Sequence, residues 1–494
     1  MNILLIYPDF PDTFWSFKYA LNFVHKEATN PPLGLLTVAA LLPKEWNKRL
    51  VNMIFDELTD KDIAWADYAF VSAMIVQRAS AEQVIARCRT AGLKVVAGGP
   101  LFTSEPESFA TVDHLVLNEA EITLPIFLKD LERGIPQRIY TTQEFADITH
   151  TPIPLWELVD IQRYATLAIQ YSRGCPYDCD FCNVTVLFGA RPRVKTSGQI
   201  IQELDLIYKL GWRGIVYFAD DNMIGNRKLL KNDLLPALIA WRKGKKGITF
   251  NTEASINLAD DEPLMNMMFD AGFDMVFVGI ETPNEESLEE CNKKINSNRD
   301  LVADIKRIQR YGLQVEGGFI VGFDSDTPSI FQRQIDLIQK GGIVSAMVNI
   351  LQAPIGTRLY ERMRQEGRLI GNSTGGNAVD GTTNIIPKMN LDVLNEGYKR
   401  MVQYLYTPQN YYARVRILLK ELKSPKFSVP IDLTNLMAFF RTIYSLGILG
   451  EERAYYWKLV FWTLFHRPKL FPLAITLAVY GYHFHLVLTQ GEHS

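Results

Sequence analysis

Over the first 135 residues, short apolar runs alternate with stretches that carry helical spacing. The runs are Ile3 to Tyr7, Leu50 to Phe55, Tyr68 to Met74, Leu93 to Ala97 and His114 to Leu117. This alternation predicts a parallel sheet covered on both faces. Between the third and fourth runs, Ser80 with Gln83 reads as a capping box, and Val84, Ile85 and Cys88 then share one helical face. The prediction for residues 1–135 is therefore a doubly wound, Rossmann-like α/β domain. Its ligand end lies beyond the carboxyl ends of the strands. There stand the loop Ser72 to Gln77 with Met74, the turn Ala97-Gly98-Gly99-Pro100, and Asn118-Glu119-Ala120-Glu121.

Residues 136–165 turn polar and Pro-bearing, with Thr151-Pro152-Ile153-Pro154, and read as a linker. From 166 to 390 six strand-then-helix units follow, with strands at Leu167 to Tyr171, Gly214 to Ala219, Ile248 to Thr252, Met275 to Ile280, Val315 to Val321 and Ala346 to Leu351. Thr196 or Ser197 can cap a helix whose Ile200, Ile201, Leu204, Ile207 and Leu210 line one face. Barrels of such units deliver functional side chains at the carboxyl ends of their strands. Asp220, Asp221 and Asn222, then Glu253 and Ser255, then Glu281 and Thr282 occupy those ends here, where helix capping is the competing role.

Residues 391–494 form a mostly helical region with interleaved aromatic and basic side chains. Leu470 to Leu488 holds no Asp, Glu, Lys or Arg and approaches the ~20 residues a membrane span needs. Pro472, Gly481, His483 and His485 argue against a spanning helix and for one lying on a membrane surface. A helix packed on the barrel is the other reading.

Candidate chemistry is concentrated in Cys175-Pro-Tyr-Asp-Cys179-Asp-Phe-Cys182. Three thiolates from one tight loop suit an iron-sulfur cluster with one iron left for another ligand. Cys88 and Cys291 sit alone in helix-like sequence, so neither supplies an obvious fourth thiolate. Zinc is the rival metal, but a closed zinc site wants two ligand pairs, and no histidine lies near this loop. Five cysteines, three of them clustered, argue against a secreted disulfide framework. A net charge of -3 gives no general electrostatic reason to bind nucleic acid. The N-terminus starts as a strand with no basic n-region, so the expected compartment is the cytoplasm, at the inner face of the membrane if the C-terminus touches lipid.

The cysteine loop, with the aromatic Phe181 before its third cysteine, resembles the signature of the radical S-adenosylmethionine (SAM) enzymes. The resemblance implies a 4Fe-4S cluster on Cys175, Cys179 and Cys182, with SAM on the open iron. It implies SAM contacts at Phe181, Asp220, Asp221, Asn222, Glu253 and Glu281, and a partial (β/α)6 TIM-type barrel. An α/β domain ahead of such a loop is similar to the cobalamin-binding domain of the cobalamin-dependent branch. That places the corrinoid near Ser72, Met74, Gly98, Gly99, Pro100, Thr103 and Glu119. The histidine of the DxHxxG motif is missing, since the loop after the second strand reads Asp56-Glu57-Leu58-Thr59-Asp60. A corrinoid-free scaffold is the alternative; GxGxxG is absent, which counts against a dinucleotide.

Tyr171 to Cys179, Leu187-Phe188-Gly189 before Arg191-Pro192-Arg193, and Asp220 to Asn226 resemble the hopanoid C-2 methylase-like subgroup. That resemblance implies methyl transfer to an unactivated carbon of a lipid or other hydrophobic substrate, through a 5'-deoxyadenosyl radical and methylcobalamin. It also implies an electron donor such as flavodoxin or ferredoxin. A non-methylating radical reaction, such as cyclisation, oxidation or rearrangement, would use the same motifs, and a corrinoid-carrying sensor without turnover is a third reading.

Overall fold

The computed structural model describes residues 1–375, 381–427 and 433–490. Six parallel strands build the first sheet: β1 Asn2–Tyr7, β2 Asn47–Asn52, β3 Tyr68–Ser72, β4 Lys94–Gly98, β5 His114–Val116 and β6 Ile139–Tyr140, in the order β2-β1-β3-β4-β5-β6. Successive side chains of a strand point to opposite faces. Leu4 and Ile6 accordingly enter one core with Val84, Ile85 and Cys88, while Ile3 and Leu5 enter another with Leu124 and Phe127. A strand buried on both faces reads as an unbroken apolar run, and this one does.

Three expectations shift. The sixth strand falls inside residues 136–165, which are therefore not a free linker; Ile139 and Tyr140 pair with Leu115 and Val116. β2 starts at Asn47, three residues before its apolar run, because an edge strand can show polar residues to solvent, and the chain turns away as the Asp56 N–H donates to the Asn52 carbonyl at 2.8 Å. Ser80 lies inside helix Arg78–Thr90 and caps nothing; its hydroxyl accepts from the Asp9 N–H at 2.9 Å.

A second parallel sheet follows. β7 Thr166–Ile169 leads into a two-stranded ribbon, β8 Ser172–Arg173 with β9 Arg193–Val194. Then come β10 Gly214–Phe218, β11 Ile248–Ala254, β12 Phe273–Glu281, β13 Gln314–Val321 and β14 Ala346–Ile350, in the order β14-β13-β12-β11-β10-β7. This is the expected six-stranded partial barrel. Thr196 and Gln199 form a reciprocal capping box on helix Ser197–Lys209, and Ile200, Leu204 and Ile207 are buried beneath it. Leu210, expected on that face, ends up exposed at the helix terminus.

The C-terminal region is helical: Leu391–Tyr406, Pro408–Glu421, Leu433–Thr442 with its continuation Ile443–Leu449, Arg453–His466 and Phe471–Gln490. Pro468–Leu488 is long and apolar enough to cross a membrane by length and composition, yet 44% of its most apolar window is buried inside the protein. Phe484 stacks on Phe14 with ring centroids 4.2 Å apart, and the Tyr411 hydroxyl donates to the Leu477 carbonyl at 2.6 Å. The helix packs on the other C-terminal helices and on the N-terminal segment, with Ala474, Leu477, Ala478 and Phe484 fully buried. The packed-helix reading holds for this element.

Candidate active site

The cysteine loop takes its shape from the residues that flank it. Gly174 has φ 92°, and a Cβ there would meet the Gly189 carbonyl at 2.7 Å and the Phe188 carbonyl at 3.0 Å. Only glycine lets Leu187-Phe188-Gly189 close on the entrance to the loop. The Cys175 N–H donates to the Gly189 carbonyl at 3.3 Å.

The three polar residues after β10 serve that same loop. The buried Asp220 carboxylate accepts from the backbone N–H of Ser172 and, at 3.3 Å, of Tyr171. Burial pushes its carboxyl up to about 7, against the pull of the Ser172 hydrogen bond. Asp221 accepts from the Gly174 N–H at 3.2 Å. Asn222 reaches furthest: its Nδ2 lies 3.8 Å from Cys175 Sγ and donates to Ser255 Oγ at 3.3 Å. Ser255 donates to Asn257, whose Nδ2 donates to the Tyr177 hydroxyl at 2.9 Å. Expected at SAM, Asp220 and Asp221 direct their carboxylates to backbone N–H groups before Cys175, while Asn222 and Ser255 face the loop itself.

Glu253 and Glu281 sit at the ends of the next two strands. Glu253 accepts from the Tyr217 hydroxyl at 2.5 Å, and burial pushes its carboxyl up to about 7. Glu281 has φ 63°, an uncommon conformation for a residue with a Cβ. It pairs with Lys293, whose Nζ lies 2.9 Å from Oε1. Burial works against the Lys293 ammonium, but the Glu281 carboxylate more than offsets this and holds its pKa above the ordinary lysine value. Phe181 packs edge-to-face on Phe323, which follows β13.

Three site residues were not legible from spacing. Lys293 is one. The Asn292 side chain donates to the Asp178 carbonyl at 2.7 Å, beside an Asp180 N–H donating to the Cys291 carbonyl at 3.0 Å. Arg358, after β14, pairs with Asp178 and with Asp180 at 2.7 Å, and the Leu359 N–H donates to the Asp180 carbonyl at 2.9 Å. The loop is thus gripped from both later sides of the barrel. A cavity of about 190 Å³ opens between Cys179, Cys182, Thr185, Val186 and Gly356 to Arg358.

The donor set fits a 4Fe-4S cluster. Burial pushes the Cys182 thiol up to about 12 and raises that of Cys179, so both thiols are held protonated until a cationic centre takes them as thiolates. Among the described residues, no three His, Cys, Asp or Glu side chains converge as ligands of a single ion. Cys179 and Cys182 line the cavity, and Cys175 Sγ lies beside Asn222 Nδ2 on the same loop; three thiols from one loop suit a cluster with one iron left open.

The carboxyl end of the first sheet faces this loop. Arg173, just before Gly174, pairs with Glu119 at 2.9 Å and Glu121 at 2.8 Å, and Arg193 pairs with Glu119 at 2.8 Å. Glu119 also accepts from the Ala146 N–H at 2.6 Å, so this expected corrinoid contact is occupied by joining the two sheets. Gly99, with φ 93°, packs against Ser72 and Ala73: a Cβ there would stand 2.7 Å from Ser72 Oγ. Thr103 Oγ1 accepts from the Asn118 N–H at 3.0 Å. Ser72, Gly98 to Pro100 and Thr103 therefore gather at one end of the sheet, with Met74 exposed beside them.

Residues 169–338 match the radical SAM superfamily, and residues 357–493 match DUF4070, a domain of unknown function. The hopanoid C-2 methylase of Rhodopseudomonas palustris is 34% identical over 92% of this chain and 88% of its own length. The chain belongs to the radical SAM superfamily, in one family with this methylase. An uncharacterized methyltransferase of Synechocystis sp. is 39% identical to this radical SAM protein over 98% of the chain and 91% of its own length. In fold it is similar to the radical SAM methyltransferase TsrM of Kitasatospora setae, a structure with cobalamin and a 4Fe-4S cluster bound: TM-score 0.61, 12% identity, 92% of this chain and 97% of that one. The cobalamin-dependent radical enzyme OxsB, with aqua-cobalamin bound, gives TM-score 0.61 at 15% identity over 99% of this chain and 84% of that one.

Proposed function

We propose that this protein methylates an unactivated carbon of a lipid or other hydrophobic substrate, using SAM, a 4Fe-4S cluster and cobalamin. The observation that carries the reading is the apposition of the two sheets: Glu119 and Glu121 at the ligand end of the first reach Arg173 and Arg193 around the cysteine loop of the second. When bound, the cofactors would supply a hydrogen-abstracting radical and a methyl group.

The chain's part is positioning and exclusion of water. Cys175, Cys179 and Cys182 hold the cluster, while Asp220 and Asp221 fix the backbone that presents Cys175. Phe181, Asn222, Glu253 and Glu281 are the residues assigned to the SAM pocket, with Lys293 supplying a buried positive charge beside it. Ser72, Met74, Gly98, Gly99, Pro100 and Thr103 are assigned to the corrinoid, on the side facing that pocket. Residues 1–135, 166–390 and 391–494 are assigned as cobalamin, radical SAM and helical domains. The substrate class is carried over from the hopanoid methylase relative. A low-potential donor such as flavodoxin or ferredoxin is needed to reduce the cluster.

The test is anaerobic protein loaded with cobalamin and incubated with trideuteromethyl-SAM and a total lipid extract. A lipid that gains the trideuteromethyl mass supports the reading. Transfer to a water-soluble metabolite and to no lipid overturns the substrate class.

A further inference from the structure

Helix Phe471–Gln490 turns its apolar side chains inward, but the helices before it do the reverse. On Leu433–Thr442 and its continuation Ile443–Leu449, the side chains of Leu436, Phe440, Tyr444 and Ile448 recur every four residues and are 45%, 60%, 60% and 56% exposed. On Arg453–His466, Phe461 and Phe465 share a face and are 53% and 80% exposed. The two helices are one unit. Leu446 and Gly447 are buried, Trp457 Nε1 donates to the Gly447 carbonyl at 2.9 Å across the two helices, and within the second helix the Trp457 ring stacks on Phe461 at 5.6 Å. Exposed apolar side chains gathered on two helices tied together in this way mark a contact face.

Charge selects what it contacts. From Leu433 to Leu488 the charged residues are Arg441, Glu451, Glu452, Arg453, Lys458, Arg467 and Lys469, five basic against two acidic. Both acids lie together in the turn between the helices. Lys458 is exposed three residues before Phe461, on the same face, and Arg453 and Lys469 are exposed at either end of that helix. Aromatic side chains flanked by lysine and arginine suit the boundary between headgroups and acyl chains, where long basic side chains reach the phosphates.

We propose that this two-helix face docks the protein on an anionic lipid bilayer, lying in its surface with no segment crossing it. The surface is separate from the cysteine loop, so it stands or falls independently of the methyl-transfer reading.

The test is flotation of the full chain with phosphatidylcholine vesicles, with and without phosphatidylglycerol, alongside gel filtration without lipid. The expected result is flotation that depends on phosphatidylglycerol and weakens with salt. The double variant Phe440→Ser/Phe465→Ser lowers the vesicle-bound fraction about tenfold with its thermal unfolding unchanged. Lys458→Glu/Lys469→Glu, which touches no apolar side chain, removes the preference for phosphatidylglycerol and serves if the first variant fails to fold. Absence of flotation with either vesicle overturns the proposal. So does wild-type flotation by both variants, or a dimer in gel filtration that the phenylalanine variant dissolves while no vesicle is bound, which would assign the face to a second copy of the chain.

Discussion

Arg173 Nη2 lies 2.8 Å from Glu121 Oε1, joining the residue that precedes the cysteine loop to the first helix turn after β5. Glu119 completes the join through Arg173 and Arg193, with its own side chain 2% exposed. Breaking a buried pair leaves a charge without compensation and costs about 3 kcal/mol or more. Glu119→Ala is expected to lower stability by that order in urea unfolding, and limited proteolysis should cut between residues 141 and 165 sooner than in the wild type. An unchanged unfolding midpoint would remove Glu119 from this role.

Replacing any one of Cys175, Cys179 and Cys182 by alanine should reduce iron content after anaerobic reconstitution to background. The helical circular dichroism should survive, since the loop lies outside the two sheet cores. Retention of iron by one of the variants would show that its cysteine is not a ligand.

Glu281 and Lys293 form a buried pair with side chains 8% and 13% exposed. A double-mutant cycle with Glu281→Gln and Lys293→Met should return a coupling of about 1–3 kcal/mol. Additivity would mean the two charges do not compensate each other.

Deep in the barrel, burial pushes the Glu316 carboxyl up to about 7 while the Ser345 hydroxyl donates to it at 3.0 Å. The folded protein therefore holds a proton between about pH 4.5 and 7 that the unfolded chain has lost, and stability falls as pH rises through that window. Glu316→Gln should flatten this decline, gaining about 2 kcal/mol relative to wild type at pH 8 over pH 5. Parallel pH profiles of the melting temperature would contradict it.

Much of this was legible in the sequence because it is local. The three cysteines share one loop, and doubly buried strands such as Ile3 to Ile6 announce themselves as apolar runs. Thr196 with Gln199 is a cap four residues long, readable without tertiary context. Lys293 and Arg358 were not legible, because only the fold brings them to a loop more than a hundred residues earlier in the chain. Ser80 misleads for the opposite reason. Its local pattern is a good cap, but the turn Ile75–Gln77 starts the helix earlier, with Gln77 Oε1 accepting from the Met74 N–H at 2.8 Å. Side chains that compete for a role, such as Asp220 between cofactor and backbone, are decided by which partner the fold puts nearest.

The central claim is that radical formation and methyl transfer occur in one turnover across the two facing sheets. Its most direct measurement is the ratio of 5'-deoxyadenosine to S-adenosylhomocysteine per methylated product, in anaerobic protein loaded with cluster and cobalamin. The expected result is one of each for every methyl group transferred. Deoxyadenosine formed with a dehydrogenated, cyclised or rearranged product, and no S-adenosylhomocysteine, would contradict it.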